Sequence, residues 1–222
     1  GVGVADVNLN RDLFELVLNG NTYADTIDVT GSYSNVLSYA SAGLSYGKAI
    51  YSRGSRELAV GVTGKYLRGI GVEQVTKLEG GIATDATGFS GSGSMIAQTA
   101  EGGTGYAVDL GAALKLSNSY TVGFCIENFL SKINWDRKPQ EHGYIFSFDT
   151  MTVDNMGDDF VTSDDYTTDI APFSTTLPSV MTLGVANTSG SLVWAVDWEQ
   201  GFRSHDGAST KPRIAAGVEY TG

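Results

Sequence analysis

The stretch TGYAVDLGAALKLSNSYTVGFCIEN, residues 104–128, decides the fold. It holds two period-2 runs joined by Leu116, Ser117, Asn118 and Ser119. In the first run Tyr106, Val108, Leu110, Ala112 and Leu114 share one face, and Ala107, Asp109, Gly111, Ala113 and Lys115 share the other. In the second, Val122, Phe124 and Ile126 alternate with Thr121, Gly123, Cys125 and Glu127. Successive side chains of a strand point to opposite faces, so the stretch reads as a β-hairpin with one apolar and one non-apolar face. The non-apolar face is mostly Gly and Ala with isolated charges. That suits a crowded interior better than open water, and apolar outside with small and polar inside is the pattern of a transmembrane β-barrel. One hairpin of a soluble β-sandwich would alternate in the same way, so this stretch alone leaves both readings open.

Composition narrows the field. The 222 residues suit a single domain, 1–222. With 29 Gly, 4 Pro, 11 Tyr and 9 Phe and little helical pattern, an all-β chain is expected. The net charge of −11, from 25 acids against 14 bases, argues against nucleic acid, whose phosphates require a basic footprint. The single cysteine, Cys125, allows no internal disulfide and reads as a packed thiol on a small-residue face. No apolar run approaches the roughly 20 residues of a spanning helix, which excludes helical insertion only. An outer-membrane reading requires a leader removed or upstream of Gly1.

Along the chain, residues 1–20 form the one helical candidate, a plug-like or surface segment. Asn10 can cap it, Leu13, Leu16 and Val17 fall at helical spacing, and Gly20 can end it. Antiparallel strands are expected over 36–222. The run 36–50 is long for a soluble strand. Leu58, Val60, Val62, Gly64 and Tyr66 alternate with Ala59, Gly61, Thr63, Lys65 and Leu67. Residues 68–103 look least regular, with an extended hairpin of 72–84 and 90–99 as one reading and Gly80, Gly81, Thr87 and Gly88 as breakers. Further on, Leu192, Trp194, Val196 and Trp198 oppose Val193, Ala195, Asp197 and Glu199. Residues 149–169 carry seven aspartates and no Lys or Arg. Asp154, Asp158, Asp159, Asp164 and Asp165 are weak Ca²⁺ candidates, but their spacing misses the twelve-residue loop signature, and a solvated acidic loop is the plainer reading.

Short turns at 52–56, 117–119 and 188–190 alternate with longer connections at 68–103, 135–143, 151–176 and 202–213. Tyr46, Tyr51, Tyr66, Tyr106, Tyr120, Trp135, Trp198 and Tyr220 recur near strand ends. Outer-membrane barrels combine that loop asymmetry with aromatic girdles, and a sandwich explains neither. The charges on the small face, Lys65, Asp109, Lys115, Glu127, Asp197 and Glu199, are then the lumen-lining candidates, expected to pair as buried charges must. His142 and His205 are the only histidines, no nucleophile elbow or metal-spaced set is present, and neither an enzyme nor a cofactor is expected.

The phrase GYAVDLGAALKL at 105–116, followed by YTVGFCIEN at 120–128, resembles the central hairpin of FadL-like outer-membrane proteins, in particular the Bacteroidetes-type branch with the PorV-like barrels. The segments LAVGVTGKYLRG at 58–69 and LPSVMTLGVAN at 177–187 resemble the same group, and together these cover about a third of the chain. The resemblance implies a Gram-negative bacterial outer-membrane barrel of about fourteen strands, with N-terminal structure partly filling its lumen. It further implies passage of hydrophobic molecules, or service as the barrel partner of a surface or secretion complex. About ten strands are legible, and the usual terminal aromatic is absent, so strands outside 1–222 are expected. A secreted β-sandwich binding module, Ca²⁺-dependent through the acidic loop, is the alternative.

Overall fold

The computed structural model describes residues 2–12, 15, 18, 26–152, 161–202 and 208–220. The chain is all-β: thirteen strands among those residues join one antiparallel sheet curled into a half-barrel. They are β1 (Val2–Asn8), β2 (Thr26–Asp28), β3 (Tyr33–Arg53), β4 (Arg56–Asp85), β5 (Gly88–Ala100), β6 (Gly103–Lys115), β7 (Tyr120–Trp135), β8 (Gln140–Met151), β9 (Val161–Asp169), β10 (Phe173–Thr175), β11 (Val180–Asn187), β12 (Leu192–Gly201) and β13 (Arg213–Tyr220).

The spine is β4. Its 30 residues, at about 3.3 Å each, extend about 100 Å. Residues 57–69 of β4 pair with β6, and residues 72–85 pair with β5, so β5 and β6 follow one another along a single edge. The relay repeats outward: β8 pairs with β5 and β7 with β6, then β9 pairs with β8 and β10 and β11 with β7. The interruptions fall at one level, where Tyr39, Gly69, Gly103, Trp135 and Phe173 stand in register. This waist divides the sheet into two tiers. The lower tier is a seven-strand meander of β3, β4, β6, β7, β11, β12 and β13, with tight turns at one end. The upper tier holds the far half of β4 with β5, β8 and β9, and β1 and β2 pair with β3 and β4.

The core sits at the waist. Leu37, Tyr39, Leu67, Val72, Ala100, Ala107, Ile133, Trp135 and Leu177 form one buried cluster, with Val4 and Phe173 packed against it. Trp135 is 0% exposed and its indole N–H donates to Thr175 Oγ1 at 2.9 Å. The ring lies directly over two glycines: a Cβ on Gly69 would stand 2.5 Å from Trp135 Cζ3, and one on Gly103 3.2 Å from Cε3. Only hydrogen-sized side chains fit under the ring. The chain passes the waist through residues with positive φ, Gly102 at 108° and Lys138 at 47°, which let it break and resume pairing. At the far tip of the β4–β5 hairpin, Asp85 accepts from the Thr87 hydroxyl at 2.6 Å and the Thr87 N–H at 2.7 Å. The hydroxyl bond first, then the backbone bond, holds the Asp85 carboxyl below its usual range.

Several sequence expectations change. The N-terminal segment is not helical throughout: Val2–Asn8 is a strand, because the 2-period of Val4 and Asp6 against Leu37 and Asn35 of β3 lets Val4 join the core. Arg11, Asp12, Glu15 and Leu18 have helical backbone, and Asn10 Oδ1 accepts the Asp12 N–H; Leu13, Leu16, Val17 and Gly20 lie outside the described residues. Residues 68–103 are almost wholly strand, and Gly80 and Gly81 lie inside β4, where they give Ser92 and Ile27 backbone atoms room to approach. The long connections at 135–143 and 151–176 likewise contain strand: β8 begins at Gln140, and β9 and β10 occupy much of the second. Ten legible strands become thirteen because the runs 58–67 and 72–84 join as β4 while β1, β2, β9 and β10 form where no strand was expected. Trp135, expected in an aromatic girdle, is the most enclosed large side chain of the core.

Trp135→Ala should lower unfolding stability by about 3–5 kcal/mol, the usual range for deleting a buried Trp, and Gly69→Ala should be severe because the buried indole has no room to yield. Denaturant unfolding followed by circular dichroism measures both. A separate titration tests the hairpin tip: in Thr87→Val the Asp85 midpoint should rise toward the ordinary aspartate range, read from carboxyl-carbon chemical shifts.

Candidate functional site

Register assigns every lower-tier residue to one of two faces. Pairing carries Val62 to Tyr46 and Leu110, Leu110 to Ile126, Ile126 to Met181, and Leu58 to Leu114, Val122, Val185, Val196 and Ala216 across the sheet. One face is therefore mainly apolar over all seven strands, with Lys48 opposite Val60 and Lys132 opposite Tyr106 as charged members, and it is uncovered: Leu44 is 84% exposed, Ile214 75% and Val218 72%. Tyr66 and Tyr106 pair at its waist end. At its turn end Tyr120 meets Trp194 edge-on at 6.2 Å, with Tyr51 and Tyr220 nearby in register order. Trp194, absent from the strand-end aromatics singled out in the sequence, stands with them at this end; the signal was its parity with Leu192. Tyr46 pairs with Val62 and lies in mid-strand.

The opposite face is small. Gly47, Gly61, Gly111 and Cys125 stand in one register row, and Ala59, Ala113 and Gly123 in another. All six charged residues singled out in the sequence fall on this face, but they do not form one cluster. Lys65 and Asp109 do meet: Nζ and Oδ2 are 2.7 Å apart, with side chains 25% and 16% exposed. Between Val108 and Leu110 the β6–β7 register jumps from Leu130 to Ile126, so residues 127–129 bulge opposite Asp109. At the bulge, Asn128 has a φ of 50°, its N–H donates to Asp109 Oδ1 at 2.8 Å, and its amide donates to the Pro178 carbonyl at 3.0 Å. Lys65 donates to Asn128 Oδ1 at 3.4 Å. The knot ties β4, β6 and β7 to the chain entering β11. Nothing in the sequence pattern marked Asn128, because a bulge appears only when two registers are compared.

The other four stand apart. Glu127 helps line a cavity of about 300 Å³ beside Asp109, with Ser45, Thr63 and Cys125. Asp197 reaches over Gly184, Glu199 pairs with Arg213 at 3.2 Å, and Lys115 is exposed at the turn end. In the upper tier, His142 lies within β8 between Thr99 Oγ1 at 2.9 Å and Thr167 Oγ1 at 3.0 Å, a cross-strand tie rather than a loop residue. Asp164 and Asp165 are neighbours on β9 and point to opposite faces, so one ion cannot take both from a regular strand. Among the described residues no group of three or more His, Cys, Asp or Glu side chains could hold a metal. Asp154, Asp158, Asp159 and His205 lie outside them. No described helix is long and apolar enough to cross a membrane, which says nothing about strands.

A protein-family model described as a family of unknown function, DUF5723, matches residues 2–101, the part of the chain from β1 to the start of the β5–β6 connection. No curated protein and no solved structure matches the chain.

The knot predicts an order of severity. Asp109→Asn keeps an acceptor for the Asn128 N–H and should be mild, whereas Asp109→Ala strands both that N–H and the Lys65 ammonium and should cost about 1.5–3 kcal/mol. Thermal unfolding of the two variants side by side gives the ranking; equal losses would remove the bulge from the explanation.

Proposed function

We propose that this chain forms the wall of a FadL-like β-barrel in the bacterial outer membrane, with the lower tier crossing the bilayer and the upper tier standing beyond it. The single observation that carries this reading is the apolar face running across seven strands, interrupted by Lys48 near the turn end of β3 and Lys132 at the waist end of β7, and backed by a face of Gly, Ala, Thr and Cys. Its height fits: β6 has 13 residues, and a tilted transmembrane strand needs about 9–11. Tyr66 with Tyr106 at one end and Tyr120 with Trp194 at the other suit the two interfaces. The aqueous alternative, a sandwich, needs a second sheet over the apolar face; among the described residues every strand joins one sheet.

Within the membrane reading, a barrel partner for other surface proteins has more support than a channel for hydrophobic molecules. The waist is filled by Trp135, Ile133 and Leu67, which stand in the way of a passage, and the cavity below it carries the carboxylates of Asp109 and Glu127 beside Tyr46, Val62 and Leu110. The upper tier, with its exposed β9 edge, is the platform such a partner would use.

Detergent-dependent extraction and heat-modifiable gel migration are the expected behaviour, and a monodisperse protein in plain buffer would end this reading. The faces are tested separately. Leu110→Arg and Val196→Arg each put a cation on the lipid side, at about 2–4 kcal/mol near the midplane. Both should abolish accumulation in the outer membrane while Asp109→Asn accumulates normally; equal tolerance at all three positions would reverse the assignment.

A further inference from the structure

We infer that the free edge of β9 receives, by antiparallel strand addition, an extended basic segment of another protein. The inference deepens the barrel-partner reading and rests on it for the place of this edge outside the bilayer. Among the described residues β9 pairs with β8 alone, in a register without a bulge, and all nine of its residues are exposed. The direction of its backbone groups follows from the strand end. There the Ile170 N–H donates to the Pro139 carbonyl at 3.0 Å, and 139 lies directly opposite 170 when the β8–β9 register is carried on by one step. Hydrogen-bonded and non-bonded pairs alternate along an antiparallel ladder. Val161, Ser163, Asp165, Thr167 and Asp169 therefore turn their N–H and C=O groups away from β8. That row is a template for one more strand. The sequence VTSDDYTTD holds no Pro or Lys, the residues that commonly blunt such an edge.

Charge decides the occupant. Strands β8 and β9 carry Glu141, Asp149, Asp164, Asp165 and Asp169 and no Lys or Arg. No Lys or Arg among the described residues pairs with Asp164, Asp165 or Asp169, and Asp169 accepts only from the Gln140 amide, at 3.1 Å. A second copy of this chain is disfavoured. Full antiparallel overlap of two β9 strands sets Asp165 against its own counterpart, and parallel pairing in register opposes all three aspartates to themselves. Like charges directly opposite one another destabilise a strand pair, and opposite charges stabilise it. A basic strand meets the second condition, and antiparallel addition continues a sheet whose other pairings are antiparallel. Counted from the residue opposite Asp165, the incoming chain needs Lys or Arg there, one residue later against Asp164, and four residues earlier against Asp169. Two and four residues later it stands beside Ser163 and Val161. Those positions adjoin Phe146 and Phe148 of β8, whose rings lie nearly parallel at 6.2 Å, so apolar side chains there extend the aromatic surface. The pattern is basic-x-x-x-basic-basic-apolar-x-apolar.

The test uses the full-length protein and a fluorescent peptide, KTTTKKVTV, with binding read by anisotropy. Saturable binding is expected, and it should vanish when glutamate replaces the three lysines. It should also vanish when the peptide backbone is N-methylated at its third, fifth and seventh residues, which face β9, and persist with methylation at the fourth, sixth and eighth. Ser163→Pro removes an N–H that points away from β8, so the strand keeps its place while the template is broken. That variant and the triple change Asp164→Asn, Asp165→Asn, Asp169→Asn should each weaken binding about tenfold. Where Ser163→Pro does not fold, the two methylated peptides answer the same question. No saturable binding, equal binding of the two methylated peptides, or ready β9–β9 disulfide formation by Asp165→Cys in a Cys125→Ser background would each overturn the inference. Membrane fractionation, done first, separates the two failures. A membrane-embedded chain that ignores the peptide loses only the strand addition, and a soluble chain that binds it loses only the membrane reading.

Discussion

The structure hangs on the contact between the Trp135 indole and the glycines at 69 and 103. Three strands meet there, and two of them must bring bare backbone under an aromatic ring. A buried Trp needs a partner for its N–H, and Thr175 supplies it from β10, which fixes that short strand beside β7. Everything above and below is indexed to this level. The chain crosses it repeatedly, by a continuous strand, as in β4, or by a break, which at Gly102 and Lys138 takes a positive φ. That is why a sheet of ordinary strands acquires a two-tier plan with its buried core at the junction.

Below the waist the balance of forces differs. The sheet there has no apolar core on its small face, and its apolar side chains point the other way, uncovered. In water that arrangement would forgo most of the burial that stabilises a β-protein. In the proposed membrane setting lipid completes it, and backbone pairing rather than side-chain burial holds the strands together. Rows such as Gly47, Gly61 and Gly111 fit this division of labour: they add little packing but let the sheet curl with neighbouring backbones close.

The lower tier was legible in the sequence because its signal is local. Parity alone placed Lys65, Asp109, Lys115, Glu127, Asp197 and Glu199 on one face, since a period of two leaves only two choices. The Lys65–Asp109 contact was foreseen as a type of interaction, without its geometry. The waist was not legible. Trp135 closes a segment that ends a strand, and a strand-end Trp reads equally as a girdle residue or as core; only the glycines on the next two strands, Gly103 and Gly69, distinguish them. The upper tier was legible in part: the hairpin of 72–84 and 90–99 is the β4–β5 pairing, with Thr87 and Gly88 at its tip, whereas Gly80 and Gly81 look like breakers in a linear reading but lie inside β4, where they make room for neighbouring backbone. The continuous β4 was hidden because no local pattern announces a strand of 30 residues.

The half-buried ion pair of Lys65 and Asp109 has a meaning that its modest net energy does not suggest. Burying two charges costs about as much as their attraction returns, so Lys65–Asp109 is a weak source of stability. It is a strong source of register. A slip of one residue between β4 and β6 would send Lys65 or Asp109 to the apolar face, and in lipid the lysine alone would cost about 2–4 kcal/mol at the midplane. A slip of two would preserve the faces but separate Nζ from Oδ2 by a full pleat and draw Lys65 away from Asn128 Oδ1 at the bulge. The glycine and alanine rows cannot discriminate such slips, because one small residue replaces another. On a face built almost entirely from interchangeable residues, one charged pair and one bulge specify the alignment that apolar contacts leave open.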